Sequence, residues 1–214
     1  MLQINVKLNG DYMGRKKRRI SDNEITSLNP GWINKKIPNN LDISNLNKII
    51  WFFVINTLCT DVSANGKTIE EYGWKKDVWK KQQLKKTLYS VCELKKEKSL
   101  YIAQNYRDMK NACEVCELKK NFHKLSKTER IACVKMNKYN EVLSIFYHIR
   151  NALAHGRIAI SRDNTNNIYY FLEDGKKKGE NFLVSARMVL KEKTLLKWIE
   201  IIEDGERKIS WKKQ

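Results

Sequence analysis
The segment Asn140–Gly156, NEVLSIFYHIRNALAHG, constrains the fold more than any other part of the chain. On a helix, Val142, Ile145, Phe146, Ile149 and Leu153 form one apolar stripe at i, i+3, i+4, i+7 spacing. Gly156 is placed to stop that helix, because the residue after a helix end commonly needs a left-handed backbone. Glu141, Ser144, His148, Asn151 and His155 fall on a different side, within about 40° of one line at about 100° per residue. That polar stripe carries no lysine, in a chain with 42 Lys+Arg among 214 residues. An ordinary solvated face would carry some, so the stripe is expected to be half-buried, against a partner or in a cleft.

Elsewhere the pattern also reads as helix. The apolar run Ile49–Ile55, inside a helical segment from Ser44 to about Asp61, is expected at the centre of the core. Thr68–Glu71 has the spacing of a capping box and opens a lysine-rich helix with Leu84, Leu88, Val91 and Leu94 on one face. Ser99 reads as the cap of a third helix, carrying Ile102, Tyr106, Met109, Cys113 and Cys116 on one side. Ser126–Glu129 reads as a second capping box, opening the region that runs to Gly156. Beyond it, Arg157–Arg162 and Ile168–Leu172 form a small β-hairpin, and Ser185 caps a last helix through Ile202. The expected fold is therefore mainly α, a bundle of about five helices over 43–214 with one small β-hairpin. It is preceded by an irregular basic extension, residues 1–42, with a short strand or hairpin around Asn9-Gly10.

Net charge is +18, and a surplus of that size speaks of a polyanionic partner. The longest apolar run is far short of the roughly 20 residues of a bilayer span, so no membrane partner is expected. The opening MLQINVKLNGDY lacks the apolar centre of a secretory signal, and five cysteines are an odd count. Reduced thiols and a cytoplasmic location are the expectation. Cys113-Glu-Val-Cys116 is a lone CxxC without a second pair at finger-like spacing, so no metal and no cofactor is expected. Phosphate loops of the G-x-G-x-x-G and GK[ST] types are missing, as is a G-x-S-x-G nucleophile turn.

Arg150-Asn151-Ala152-Leu153-Ala154-His155 resembles the R-x4-H motif of HEPN-superfamily ribonucleases. The resemblance implies an all-α bundle with the motif near the end of a late helix. It also implies homodimers in which two motifs face across one cleft. The activity implied is metal-independent RNA cleavage, commonly in a toxin or antiviral-defence effector with an antitoxin or regulatory partner. RNA brings its own nucleophile, the 2′-OH, so the protein must supply a base, an acid and positive charge. His155 suits base or acid, with its symmetry mate in the other role, and Arg150 suits the phosphate oxygens. Asn151, at i, i+4 from His155, would orient ring or phosphate. His148 and Glu141 are secondary candidates on the same stripe. Arg157 and Arg162 are expected to contact the RNA backbone, and Lys16, Lys17, Arg18 and Arg19 of the RKKRR run either clasp the same backbone or form a solvated loop. Arg157 also stands where some HEPN proteins carry the tyrosine that accepts a nucleotide, so that regulation is not expected. The alternative is a non-catalytic HEPN-like module that binds RNA or a partner protein.

Overall fold
The computed structural model describes residues 28, 32–33, 41–92, 94, 96–119, 125–178 and 181–209. Helix α1 (Ile43–Ile50) starts at Asp42, whose carboxylate accepts the Ser44 and Asn45 N–H groups at 2.9 and 3.4 Å. It continues into a π-helical turn, Trp51–Ile55, that buries Phe52 and Phe53. Phe53 and Phe146 meet edge to face at 5.2 Å, so Ile49, Phe52 and Phe53 reach the core as expected, whereas Ile50 and Trp51 of the same run are exposed. The Thr68–Glu71 capping box forms, with Glu71 accepting the Thr68 N–H at 2.6 Å and Thr68 Oγ1 accepting the Glu71 N–H at 3.3 Å. The chain then turns instead of winding a long helix, and only α2 (Gln83–Ser90) follows, with Leu84 and Leu88 buried.

The helical bundle is not what forms. A five-stranded mixed sheet runs through the molecule in the order β1-β2-β5-β4-β3, making this an α/β fold. After the short helix α3 (Lys96–Ser99) come β1 (Leu100–Ala103), helix α4 (Met109–Val115) and β2 (Arg130–Val134), which pairs parallel to β1. Helix α5 (Glu141–Ala154) is followed by β3 (Ile158–Arg162), β4 (Ile168–Lys178), β5 (Asn181–Lys191) and helix α6 (Glu192–Ile209). The pairs β2–β5, β5–β4 and β4–β3 are antiparallel. Three expected helix starts are thus overturned. Ser99 precedes β1, Ser126–Glu129 lead into β2, and Ser185 lies inside β5. The β3–β4 hairpin is present, but as one edge of the sheet.

Both faces of the sheet are covered, by α1, α5 and α6 on one side and α4 with Leu28 and Trp32 on the other. The strands divide residue by residue: Ile131, Cys133, Tyr170, Leu172, Met188 and Leu190 face α5 and α6. Ala132, Val134, Tyr169, Phe171 and Val189 face the α4 side. A strand buried on both faces reads as a continuous apolar run and loses the alternation that would mark it. Helix α6 seats Leu195, Trp198, Ile199 and Ile202 inward as expected, and Trp198 Nε1 donates to the Leu88 carbonyl at 2.8 Å.

Candidate Arg–His site on helix α5
Helix α5 is fixed at both ends by its own sequence. Asn140 Oδ1 accepts the Leu143 N–H at 2.9 Å at the start. At the finish, Gly156 has φ +61, its N–H donates to the Leu153 carbonyl at 3.1 Å, and the Arg157 N–H donates to the Ala152 carbonyl at 2.8 Å. Those two bonds make a Schellman motif, so the turn bearing Arg150, Asn151 and His155 is held rigidly.

The polar stripe is buried against the chain's own sheet for most of its length. Ser144 Oγ donates to the Asn140 carbonyl at 2.8 Å and accepts the Met136 N–H at 3.0 Å. His148, 1% exposed, has Nδ1 2.7 Å from Asp174 Oδ2 and Nε2 2.7 Å from the Val134 carbonyl. Asp174 Oδ2 also accepts Ser185 Oγ at 3.0 Å and Asn151 Nδ2 at 3.3 Å, and Oδ1 accepts the Gly175 N–H at 2.7 Å. A carbonyl only accepts, so His148 Nε2 carries a proton. Nδ1 faces an oxygen already receiving a hydroxyl and an amide, so the ring is tied to the protein at both nitrogens.

Asn151 carries this network to Arg150. Arg150 Nη1 donates to Asn151 Oδ1 at 3.1 Å, which fixes the amide orientation and turns Nδ2 toward Asp174. Arg150 Nη2 donates to the Val62 carbonyl at 2.8 Å, while Nε is buried without a partner among the described residues. His155 is exposed, and its ring makes no hydrogen bond among the described residues. The structure therefore joins Arg150, Asn151 and His148 through Asp174 and leaves the His155 ring open to solvent.

The remaining expected residues stand apart. Glu141 sits at the other end of α5 in an ion pair with Lys85 at 2.5 Å, about 20 Å from His155 at 1.5 Å per residue. Arg157 donates from Nη1 to the Gly175 carbonyl at 2.7 Å and stacks 4.3 Å from the Phe182 ring centroid, which anchors it beside the β4 bulge. Arg162 is exposed at the end of β3. Lys16, Lys17, Arg18 and Arg19 lie outside the described residues. Cys113 and Cys116 are buried beneath the sheet, and burial pushes the Cys113 thiol up to about 12 and that of Cys116 to about 11. Among the described residues no three His, Cys, Asp or Glu are grouped to hold a metal.

Asp174 was not singled out by sequence reasoning, and Ser185 was read only as a helix cap. The one local signal is Glu173-Asp174-Gly175, paired carboxylates directly after an apolar strand in a lysine-rich chain. Both carboxylates are buried, facing opposite sides of β4. Glu173 takes Arg187 Nε at 3.0 Å on the α4 side, and Asp174 takes His148 on the α5 side. The register of β4 against β5 shifts between Asp174 and Gly175. A Cβ on Gly175 would collide with the Leu183 carbonyl and the Phe182 ring, so the bulge requires glycine.

Beside the site, the loops after β1 and β2 and the Asp61–Val62 turn enclose a cleft of about 500 Å³. Val62 and Val134, whose carbonyls hold Arg150 and His148, both line it. Among known proteins, no family model, no curated protein and no solved structure matches the chain. Among the described residues no helix is long and apolar enough to cross a membrane.

Proposed function
We propose that this protein is a metal-independent endoribonuclease acting through Arg150 and His155 as a homodimer, in the role of a toxin or antiviral-defence effector. The sheet removes the all-α architecture from the HEPN resemblance, so the reading rests on the motif and its surroundings. The observation that carries it is the His155 ring, exposed at the end of a capped helix and without a hydrogen-bond partner among the described residues. One turn earlier, Arg150 is locked through Asn151 to a buried carboxylate. A group that must take and return protons needs a free ring nitrogen on a rigid support.

In the proposed reaction the His155 imidazole removes the 2′-OH proton. The 2′-oxygen forms a bond to phosphorus, and the phosphorus–5′-oxygen bond breaks. The His155 ring of the other subunit, entering the step as imidazolium, gives its proton to the leaving oxygen, and the products are a 2′,3′-cyclic phosphate and a 5′-hydroxyl. The Arg150 guanidinium supplies positive charge to the phosphorane oxygens. The +18 net charge supplies sequence-indifferent attraction for the RNA strand.

One observation favours the second reading, a non-catalytic RNA-binding module. Both Arg150 terminal nitrogens already donate to protein acceptors, so the guanidinium serves the fold as well. Incubating wild type and His155→Ala with mixed single-stranded RNA in EDTA decides between them. Cyclic-phosphate ends from wild type alone are expected. Equal background from both, with RNA still bound, would leave only the binding module.

A further inference from the structure
We propose that the cleft between the β1 and β2 loops binds one nucleotide unit of a single-stranded RNA, with its base on tyrosine and its phosphates on lysine. This rests on the reading of the chain as RNA-directed and adds where the strand lies. Strands β1 and β2 are the parallel pair of the sheet, and the cleft opens just beyond their carboxyl ends, where open α/β sheets usually place ligands. Its volume of about 500 Å³ is in the range of small-ligand sites.

The lining chemistry selects the ligand. Three lysines, Lys135, Lys138 and Lys176, converge on the cleft against one carboxylate, Asp61. Asp61 meets Lys138 only at 3.6 Å with the lysine side chain 80% exposed, which leaves that ammonium largely available. Lys135 and Lys176 have no carboxylate partner among the described residues. Three half-buried tyrosines share the same walls: Tyr106, Tyr139 and Tyr147. The Tyr139 and Tyr147 rings are 5.8 Å apart, and Lys176 Nζ sits 4.6 Å from the Tyr106 ring centroid. Phenol rings beside three ammonium groups and a single carboxylate suit a ligand that is flat at one end and anionic at the other, and a nucleotide is both.

Position ties the cleft to the cleavage site. Tyr147 lies three residues before Arg150 on α5, and the Val62 carbonyl that fixes Arg150 belongs to the cleft rim. A strand seated on Tyr147 therefore continues along α5 toward Arg150. The larger open depression of about 1000 Å³ beside α6 lacks this chemistry. Its lysines alternate with Glu192 and Glu200, and no aromatic ring lines it.

The test uses the full chain carrying His155→Ala, so that the probe is not consumed, and a fluorescein-labelled ten-nucleotide single-stranded RNA read by anisotropy. Lys138→Glu with Lys176→Glu should weaken binding at least about ten-fold, and Tyr106→Ala by a similar factor. Lys86→Glu with Lys98→Glu changes net charge equally on exposed lysines outside the cleft and should weaken it less than about three-fold. Equal affinity of the cleft pair and the control pair would overturn the proposal. AMP that competes as well as the oligomer, mole for mole, would overturn the strand in favour of a free nucleotide. The two readings fail separately. Cleavage by the His155-bearing chain with cleft-independent affinity removes the cleft alone. Cleft-dependent affinity without any cleavage removes the nuclease alone.

Discussion

His148 and Asp174 meet at 2.7 Å in the interior, between the motif helix and the bulge of β4, and each is almost wholly buried. The pair sits under the segment that carries Arg150, Asn151 and His155, and it acts on the site by holding α5 against the sheet and through the Asp174–Asn151 hydrogen bond. Removing one partner strands the other in a medium that cannot solvate it. His148→Ala and Asp174→Ala should each cost about 3 kcal/mol or more in urea unfolding. The double variant should cost well under their sum, since both singles break the same contact.

His155 should behave in the opposite way. Its ring is exposed and makes no hydrogen bond among the described residues, so His155→Ala should change stability by no more than about 0.5 kcal/mol. RNA cleavage should fall at least about a hundred-fold, the usual scale for a lost general acid or base. An equal loss of stability in His155→Ala and His148→Ala would show that the ring has a structural task.

Arg150→Lys tests the fork. The guanidinium reaches the Val62 carbonyl and Asn151 Oδ1 with two different nitrogens, a geometry one ammonium cannot reproduce. We expect cleavage to drop about ten-fold or more while salt-dependent RNA affinity stays close to wild type. Asn151→Ala should resemble it in cleavage and add a stability loss of about 1–2 kcal/mol, because Asp174 loses a donor.

How much of this was legible depended on whether the deciding partner was near in sequence. Helix α5 could be read because its apolar stripe, its Asn140 cap and its Gly156 stop all lie within the segment they define. The semi-burial of its polar stripe followed from a missing residue type. Strand β5 could not be read, because Leu183–Leu190 is buried throughout and the period is lost. Ser185 looks like a helix cap, but its hydroxyl donates to Asp174 across the β4–β5 pair. Glu129 has capping-box spacing from Ser126, but its carboxylate accepts the Lys191 N–H at 2.9 Å from across the sheet. Asp174 itself was hidden because its strongest partner is 26 residues away.

The buried thiols give a pH signature. Burial pushes Cys59 and Cys113 up to about 12 and Cys116 to about 11, against an ordinary value of 9.0. At pH 8 a thiol at 11 is about one part in a thousand thiolate, so the native chain should alkylate slowly and the urea-unfolded chain fast. A raised folded value also means that the folded state keeps its protons longer. The associated stability is complete below the unfolded thiol value and falls as pH rises toward 12. Urea midpoints should therefore decline progressively above about pH 9. A flat midpoint from pH 8 to 11 would show that these thiols ionise in place.

Gly156 couples stability to the position of His155. Its φ of +61 is costly for a residue with a Cβ, although nothing lies within 4 Å of where that Cβ would stand. The cost of Gly156→Ala is therefore backbone strain alone, about 1 kcal/mol. Gly156→Asn should recover part of it, because asparagine tolerates the left-handed region better. If the Schellman turn also sets where the His155 ring stands, Gly156→Ala should lower cleavage by more than its stability loss explains. The asparagine variant should restore cleavage and stability together. Cleavage unchanged in a destabilised Gly156→Ala would mean that the ring finds its working position without the turn, and that the cap serves the fold only.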